Sequence, residues 1–285
     1  MKRVNIKWNE QPSTKFIEHL GAIKVTVISA PTWKHLKNYI PEFANATWED
    51  TPKTEYTDEE AEHTLKELFH GRVLPTAYET IKVTVRIEGL DLIDVTHLIR
   101  HRMFSFSAQC SADRDMREDT CLVKPSIMAN YSYLKRYTKI VEDAKQLYAD
   151  MVDGRKVSIF DARTILPRSL SNFYYVSGSI KDFINFINTR KDEAIQPESD
   201  NVIAIRLYQA LVELYPVLEE VIEFGGQDKW FVETAKRGGH NSMAYLPKRE
   251  NAVFNIDPED FIYNKRRDEF PGSEVYQSIR EEVVK

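Results

Sequence analysis

The sequence is poor in cysteine, with only Cys110 and Cys121 among its 285 residues. Two thiols are too few for a disulfide framework. A tetrahedral zinc site would also need histidines at set spacing, and the sequence contains no CxxC or HExxH motif. We therefore expect neither a disulfide-stabilised fold nor a metal centre.

Long apolar runs are also missing. No stretch approaches the roughly 20 apolar residues that span a bilayer. The first residues, Met1 to Lys7, contain no apolar signal region. We expect a cytoplasmic protein that has no contact with a membrane.

An excess of positive charge is absent as well. Lys and Arg number 39 against 44 acidic residues, which gives a net charge of −5. Binding to polymeric nucleic acid needs a strong positive field, so this class of partner is not expected. A local basic pocket for a single phosphate is still compatible with the composition. Apolar residues make up 42% of the chain, which is enough for a sizeable core.

Alternating hydrophobicity predicts two strands, over residues 22–29 and 80–88. Residues 40–57 are rich in Pro, Thr and acids, and residues 103–125 have no clear period, so both segments are interpreted as loops. The order of strands and helices is irregular, so the pattern favours a mixed α/β fold over repeated βαβ units.

Apolar residues that recur every three or four positions predict several helices. Two of them begin with capping-box patterns, Thr57 with Glu60 and Ser179 with Asp182. The predicted helices cover about residues 57–71, 90–99, 128–153, 157–165, 179–190 and 201–218.

A basic tripeptide, Arg100-His101-Arg102, stands at the end of one helical stripe with apolar residues on both sides. A solvated basic corner that favours a helix C-terminus is the simpler interpretation. However, a loop rich in small hydrogen-bonding residues follows, and Arg114 lies within it. Arginine forks suit phosphate groups and the carbonyl edge of a planar ring, so the tripeptide is a candidate ligand site.

Two further arginines, Arg163 and Arg190, lie within apolar stretches. A buried arginine is costly unless it is paired or used by a ligand, so a structural salt bridge is the alternative for each. Asn185 and Asn188 share the predicted helix of Arg190. Buried amides need partners, which a flavin or pyrimidine ring would provide.

Together these residues resemble the flavin-dependent thymidylate synthase (ThyX) family. Arg100-His101-Arg102 matches the start of the family motif, which continues for seven residues and then a serine. Residues 162–167, Ala-Arg-Thr-Ile-Leu-Pro, look like its Ala-Arg-x-x-Leu-Pro signature, and residues 173–190 resemble the next block. The resemblance covers roughly residues 20–225.

The chain departs from the family pattern near the expected ligands. Strict spacing puts Cys110 at the end of the motif, and Ser111 follows one residue later. The other departures replace residues that are common in the family: Gln109 for a glutamate, His97 for a glutamine, Lys181 for an arginine and Ala194 for a histidine.

The resemblance implies methylation of dUMP at C5, with methylenetetrahydrofolate as carbon donor and FAD, reduced by NADPH, as cofactor. The departures leave two alternatives open. One is a related enzyme that acts on UMP, dCMP or another pyrimidine nucleotide, with a methyl or hydroxymethyl product. The other is a non-catalytic homologue that binds flavin or nucleotide.

The resemblance also implies roles for individual residues. Arg190 and Ser111 are the catalytic candidates. Nucleotide contacts are expected from Arg163, Arg190, Gln109, Cys110, Ser111, Arg114 and His97. Flavin contacts are expected from Arg100, His101, Arg102, Glu79, Ser179, Lys181 and Asn185.

The expected architecture is an α/β fold with a central β-sheet flanked by helices. Residues 1–225 would form the catalytic domain and residues 226–285 a C-terminal extension. A homotetramer with flavin sites between subunits is expected from the resemblance.

Overall fold

A computed structural model describes residues 14–46, 48–111, 113–191 and 198–222 of the chain. The predicted extension and Ala194 lie outside these residues. Within the described segments, the structure contains no helix with the length and apolar character that crossing a membrane requires.

The centre of the fold is a four-stranded antiparallel sheet. The strands of the described chain are β1 (Phe16–Glu18), β2 (Lys24–Ser29), β3 (Lys82–Leu90), β4 (Ser105–Ala108), β5 (Cys121–Val123) and β6 (Asn172–Ser179). The main sheet has the order β2-β3-β6-β4, while β1 and β5 form a separate parallel pair.

Helices surround these strands, which confirms the expected mixed fold with a flanked central sheet. The described helices are α1 (His19–Ala22), α2 (Trp33–Lys37), α3 (Ile40–Asn45), α4 (Asp58–Phe69), α5 (Leu92–Leu98), α6 (Pro125–Met128), α7 (Tyr131–Asp153), α8 (Ile159–Ala162), α9 (Ile180–Arg190), α10 (Glu198–Val212) and α11 (Leu218–Val221). Two 3₁₀ turns cover Pro75–Thr80 and Arg163–Ile165.

The main core forms where the alternating face of β3 meets the apolar faces of the helices. Val83, Val85 and Ile87 are fully buried, and Phe183 and Ile187 of α9 belong to the same cluster. The two-residue period of β3 puts all three apolar side chains on one face, so the strand and helix patterns converge on one core.

The predicted helix caps are present. The Thr57 and Glu60 side chains bond reciprocally to each other's backbone N–H at the start of α4, and Ser179 does the same with Asp182 at the start of α9. Each capping box satisfies two backbone donors that a helix N-terminus otherwise leaves unpaired.

Both segments that were interpreted as loops contain regular structure. Within residues 40–57, α3 forms because Pro41 suits the first turn of a helix and because Ile40 and Ala44 are fully buried. The segment 103–125 contains β4 and β5, which tertiary pairing stabilises despite the lack of a local period.

Candidate functional site

The basic tripeptide lies in the turn between α5 and β4. Arg100 and Arg102 are exposed, while His101 is half-buried. The His101 ring packs against Phe186 at a centroid distance of 4.6 Å and against Phe104 at 6.3 Å. The three neighbouring residues therefore differ in environment, because only the histidine turns towards the core.

Arg190 reaches His101 from the last turn of α9. Its Nε donates a hydrogen bond to His101 Nε2 over 3.1 Å. A guanidinium can only donate, so Nε2 of this ring must carry the lone pair and the proton must sit on Nδ1. Burial lowers the pKa of His101 to about 4, and the positive charge of Arg190 acts in the same direction. His101 is thus neutral at physiological pH, although it stands between two arginines in the sequence.

Asp200 of α10 holds the other side of the guanidinium. Arg190 Nη1 donates to Asp200 Oδ2 over 3.0 Å, and His97 Nδ1 lies 3.0 Å from the same oxygen. Burial lowers the pKa of Arg190, and the charge of Asp200 opposes this shift. The structural salt bridge considered for Arg190 is present. Because Arg190 also contacts His101 of the tripeptide, this ion pair is compatible with a role of Arg190 in ligand binding.

Sequence reasoning did not identify Asp200. The available signal was its place within the apolar pattern of α10, where it is buried beside Asn201 and Val202. A buried carboxylate requires a charged or hydrogen-bonding partner, so this position could have been matched with one of the buried arginines.

Arg163 meets the end of the motif loop. Its Nη1 donates to Ser111 Oγ over 3.3 Å, and its Nε donates to the Phe160 carbonyl over 3.2 Å. Both of these acceptors are neutral oxygens, and the described part of the chain contains no ion pair of Arg163. Cys110, the alternative to Ser111 at the end of the motif, is exposed and forms no disulfide.

Arg114 is engaged within its own loop. It forms an ion pair with Asp119. When the Gln109 amide is oriented with its oxygen towards the arginine, that oxygen accepts from Nε at 2.8 Å and from Nη2 at 2.7 Å. A phosphate would therefore compete with two acceptors for this guanidinium, and the predicted nucleotide contacts of Gln109 and Arg114 stay predictions.

Two of the expected flavin residues are brought together, although they are 102 positions apart: Lys181 Nζ lies 3.1 Å from Glu79 Oε1. The Ser179 hydroxyl is buried and serves the cap of α9. Asn185 is exposed, so the expectation of a buried amide is wrong. The one-residue offset from the buried Phe186 turns Asn185 to the outer face of the helix.

Strand β4 separates two groups of candidate residues. His101, which Arg190 contacts, lies in the turn before the strand, and Ser111, which Arg163 contacts, lies after it. Four residues of strand span about 13 Å at roughly 3.3 Å per residue. This length of strand between His101 and Ser111 suits an extended ligand or two adjacent ligands.

The first group contains donors that fit a flavin. Within the described segments, no partner is found for the Arg100 and Arg102 guanidinium groups, for His101 Nδ1 or for the Asn185 amide. Guanidinium groups bind pyrophosphate, and neutral N–H donors suit ring carbonyls. These residues could therefore hold both ends of a dinucleotide cofactor.

Comparison with protein families gives a match between residues 25–217 and the model described as "Thymidylate synthase complementing protein". Curated proteins named flavin-dependent thymidylate synthase are similar as well. The one from Nitratidesulfovibrio vulgaris is 29% identical over 119 residues, which cover 39% of this chain and 49% of that protein. The one from Corynebacterium diphtheriae is 28% identical over 184 residues, or 59% and 69% of the two chains. The chain thus spans about half the length of the first of these relatives.

Solved structures with a similar fold include a protein from Streptomyces cacaoi, described as the UMP/dUMP methylase PolB. Its complex with 5-Br dUMP gives a TM-score of 0.59 at 18% identity and covers 73% of this chain and 96% of that one. Its complex with 5-Br UMP gives 0.56 at 16% identity, with 74% and 96% covered. At this level of identity, the likeness concerns the fold.

Proposed function

Because the chain belongs to the thymidylate synthase complementing protein family, we propose that it is a flavin-dependent enzyme that methylates dUMP at C5. The proposed cofactor is FAD, with NADPH as reductant and methylenetetrahydrofolate as carbon donor. The observation that carries the proposal is the hydrogen bond between Arg190 and His101, since it joins the motif loop to a restrained cation 89 residues further along the chain.

A restrained arginine suits this reaction for a physical reason. Uracil C5 is a poor nucleophile until negative charge can develop on the ring carbonyls. A partly buried guanidinium stabilises such charge better than water does, because it is already oriented and little screened. Arg190 is held by His101 and Asp200 and therefore needs little reorganisation. A flavin held by the residues of the basic turn would supply, once reduced, the hydride that completes the methyl group.

The other end of the nucleotide is assigned to Ser111 and Arg163. Their contact presents a hydroxyl and a guanidinium together after β4. A phosphate oxygen accepts readily from both groups, and an arginine fork can bind it through two nitrogens. This pair supports Ser111, rather than Cys110, as the nucleotide contact at the end of the motif.

Tritium release from C5-labelled dUMP tests the proposal. The full-length protein, with FAD, NADPH and methylenetetrahydrofolate, should release tritium and form dTMP, and Arg190→Ala should abolish both. A Lys139→Ala variant provides the matched control, because Lys139 forms an exposed ion pair with Asp143 on α7 and should keep full activity. A protein that binds FAD and dUMP but releases no tritium would instead be the non-catalytic homologue.

UMP is the second candidate substrate. The structural neighbour from Streptomyces cacaoi is described as a UMP/dUMP methylase and is seen with both 5-bromo nucleotides. The same release assay with labelled UMP or dCMP, and mass spectrometry of the product, separates dUMP from these substrates and methyl from hydroxymethyl transfer. Release from UMP or dCMP without release from dUMP would replace the leading proposal.

We also propose a homotetramer. Supporting it, α7 exposes Tyr133, Ile140 and Leu147 at seven-residue spacing, with 60%, 65% and 48% of their surfaces exposed. Exposed apolar stripes of this kind are common at subunit contacts. The solution mass from light scattering should be four times the 33.2 kDa of one chain.

A further inference from the structure

Asp200, Arg190 and His101 form a linear chain of contacts from three different elements. Asp200 lies on α10, Arg190 ends α9, and His101 follows α5. The two hydrogen bonds measure 3.0 Å from Arg190 Nη1 to Asp200 and 3.1 Å from Arg190 Nε to His101. The guanidinium is therefore held from two sides in one orientation.

The series of contacts from Asp200 through Arg190 ends at a hydrogen-bond donor, the Nδ1–H of His101. Arg190 occupies His101 Nε2, which leaves the imidazole proton on Nδ1. Nδ1 finds no partner in the described segments, and the ring is half-buried against Phe186. A neutral imidazole with a fixed tautomer donates from one known atom, as a carbonyl or ring nitrogen of a ligand requires.

We propose that Asp200 is a positioning residue: it holds Arg190 against His101 and so keeps the His101 proton on Nδ1, where it is donated to an acceptor of the bound flavin. The proposal deepens the proposed function and rests on it for the identity of the ligand. Asp200 itself acts through Arg190, since only 3% of its side chain is exposed.

The charged groups around His101 determine the direction in which its pKa should change when Asp200 is replaced. Arg190 lowers the pKa of His101 and Asp200 raises it. His97 Nδ1 contacts the same oxygen of Asp200 as Arg190 does, and the His97 carbonyl accepts from Arg190 Nη2 over 3.5 Å. If Asp200 acted on His101 by its charge alone, Asp200→Asn would lower the pKa of His101 further. If Asp200 anchors Arg190, the same substitution releases the guanidinium, and the pKa rises.

The test is a titration of the full-length protein labelled with ¹⁵N-histidine, in which comparison with a His101→Gln variant assigns the His101 signals. In the wild type, the nitrogen shifts should show a proton on Nδ1 and a bare Nε2, and the ring should titrate near pH 4. In Asp200→Asn, the titration should move towards the ordinary value of about 6.5. The FAD dissociation constant should rise about tenfold, as loss of one well-formed hydrogen bond predicts.

The control is Asp153→Asn, which removes a carboxylate partner of the buried Arg117 at the C-terminal end of α7. It should lower stability without changing the titration of His101. An Asp200→Asn protein with an unchanged or lower His101 pKa would overturn the proposal. If that variant does not fold, a wild-type proton on Nε2 would overturn it alone.

Activity measurements separate this proposal from the proposed function. Asp200→Asn should lower kcat for dUMP at least tenfold, with a smaller change in KM, because the nucleotide contacts of Ser111 and Arg163 are not altered. If the wild type shows the expected tautomer and binds FAD but does not turn over dUMP, the proposed reaction fails while the positioning role stands.

Discussion

His101 and its neighbours show how far single residues determine the site. The residue types alone identify His101, Arg163 and Arg190 as candidates, because buried or clustered cations need a partner. Their protonation states and pairings do not follow from the sequence. They depend on Asp200, which enters from another helix, and on burial, which lowers the pKa of His101.

A single residue also decides the nucleotide contact at the end of the motif, which is either Ser111 or Cys110. We expect Ser111→Ala to raise the dUMP dissociation constant about tenfold, because it removes a hydroxyl that Arg163 already orients. Cys110→Ala should change it less than twofold. Isothermal titration with dUMP in the presence of FAD measures both. Equal losses, or a larger loss for Cys110→Ala, would assign the end of the motif to the thiol.

Elements with a strong local signal are predicted from the sequence, whereas elements that depend on pairing are not. The alternation of β3 and the caps of α4 and α9 are local and were found. Strand β6 is not predicted from the sequence. Its Phe173, Tyr174 and Tyr175 are all half-buried, so neither face shows a two-residue period. Strand β4, which belongs to the motif loop, pairs with β6. Strand β6 is therefore defined by tertiary pairing rather than by a local pattern.

Gly89 provides a test of how tightly the elements fit. It has φ +77° beside a register shift in β3, and a Cβ there would lie 2.2 Å from the carbonyl oxygen of Ala22. Gly71 has a similar φ of +72° with no atom within 4 Å of such a Cβ. Gly71→Ala should cost about 1–2 kcal/mol from the left-handed backbone alone. Gly89→Ala should cost a further 1–3 kcal/mol or more from overpacking.

Urea unfolding of the two glycine variants measures this difference, since backbone strain is common to both. An equal loss of stability in both variants would show that α1 shifts easily away from β3.

At the scale of the whole molecule, a buried polar network joins distant segments at the N-terminus of α5. His19 Nε2 lies 2.7 Å from Asp94 Oδ2, and Lys124 Nζ lies 3.0 Å from Asp91 Oδ2. Lys124 also donates to Ser199 at the start of α10. One ligand atom from each of His19, Asp91 and Asp94 lies within 4.8 Å of the others, a spacing that could hold a metal ion. The ammonium group of Lys124 already supplies a positive charge there, which supports a structural role.

This network predicts how stability depends on pH. Burial alone would raise the pKa of Asp94, but its hydrogen bond and charge attraction with His19, and then Lys124 and Ser199, hold that pKa below its ordinary value. A folded-state pKa below the unfolded value means that the unfolded chain binds more protons in the acidic range. The stabilisation is therefore complete above the ordinary carboxyl pKa of about 3.9 and is lost as the pH falls through the lower folded value.

A double variant, His19→Gln with Asp94→Asn, removes this linkage while it keeps two side chains that can hydrogen-bond. Between about pH 5 and pH 3, the free energy of unfolding of the wild type should fall more steeply than that of the double variant. Urea unfolding at half-unit pH intervals gives the two slopes, and the comparison of slopes is independent of any constant loss of stability in the variant. Parallel curves would mean that the Asp94 carboxyl titrates alike in the folded and unfolded chains, so that the network at the N-terminus of α5 contributes packing rather than charge.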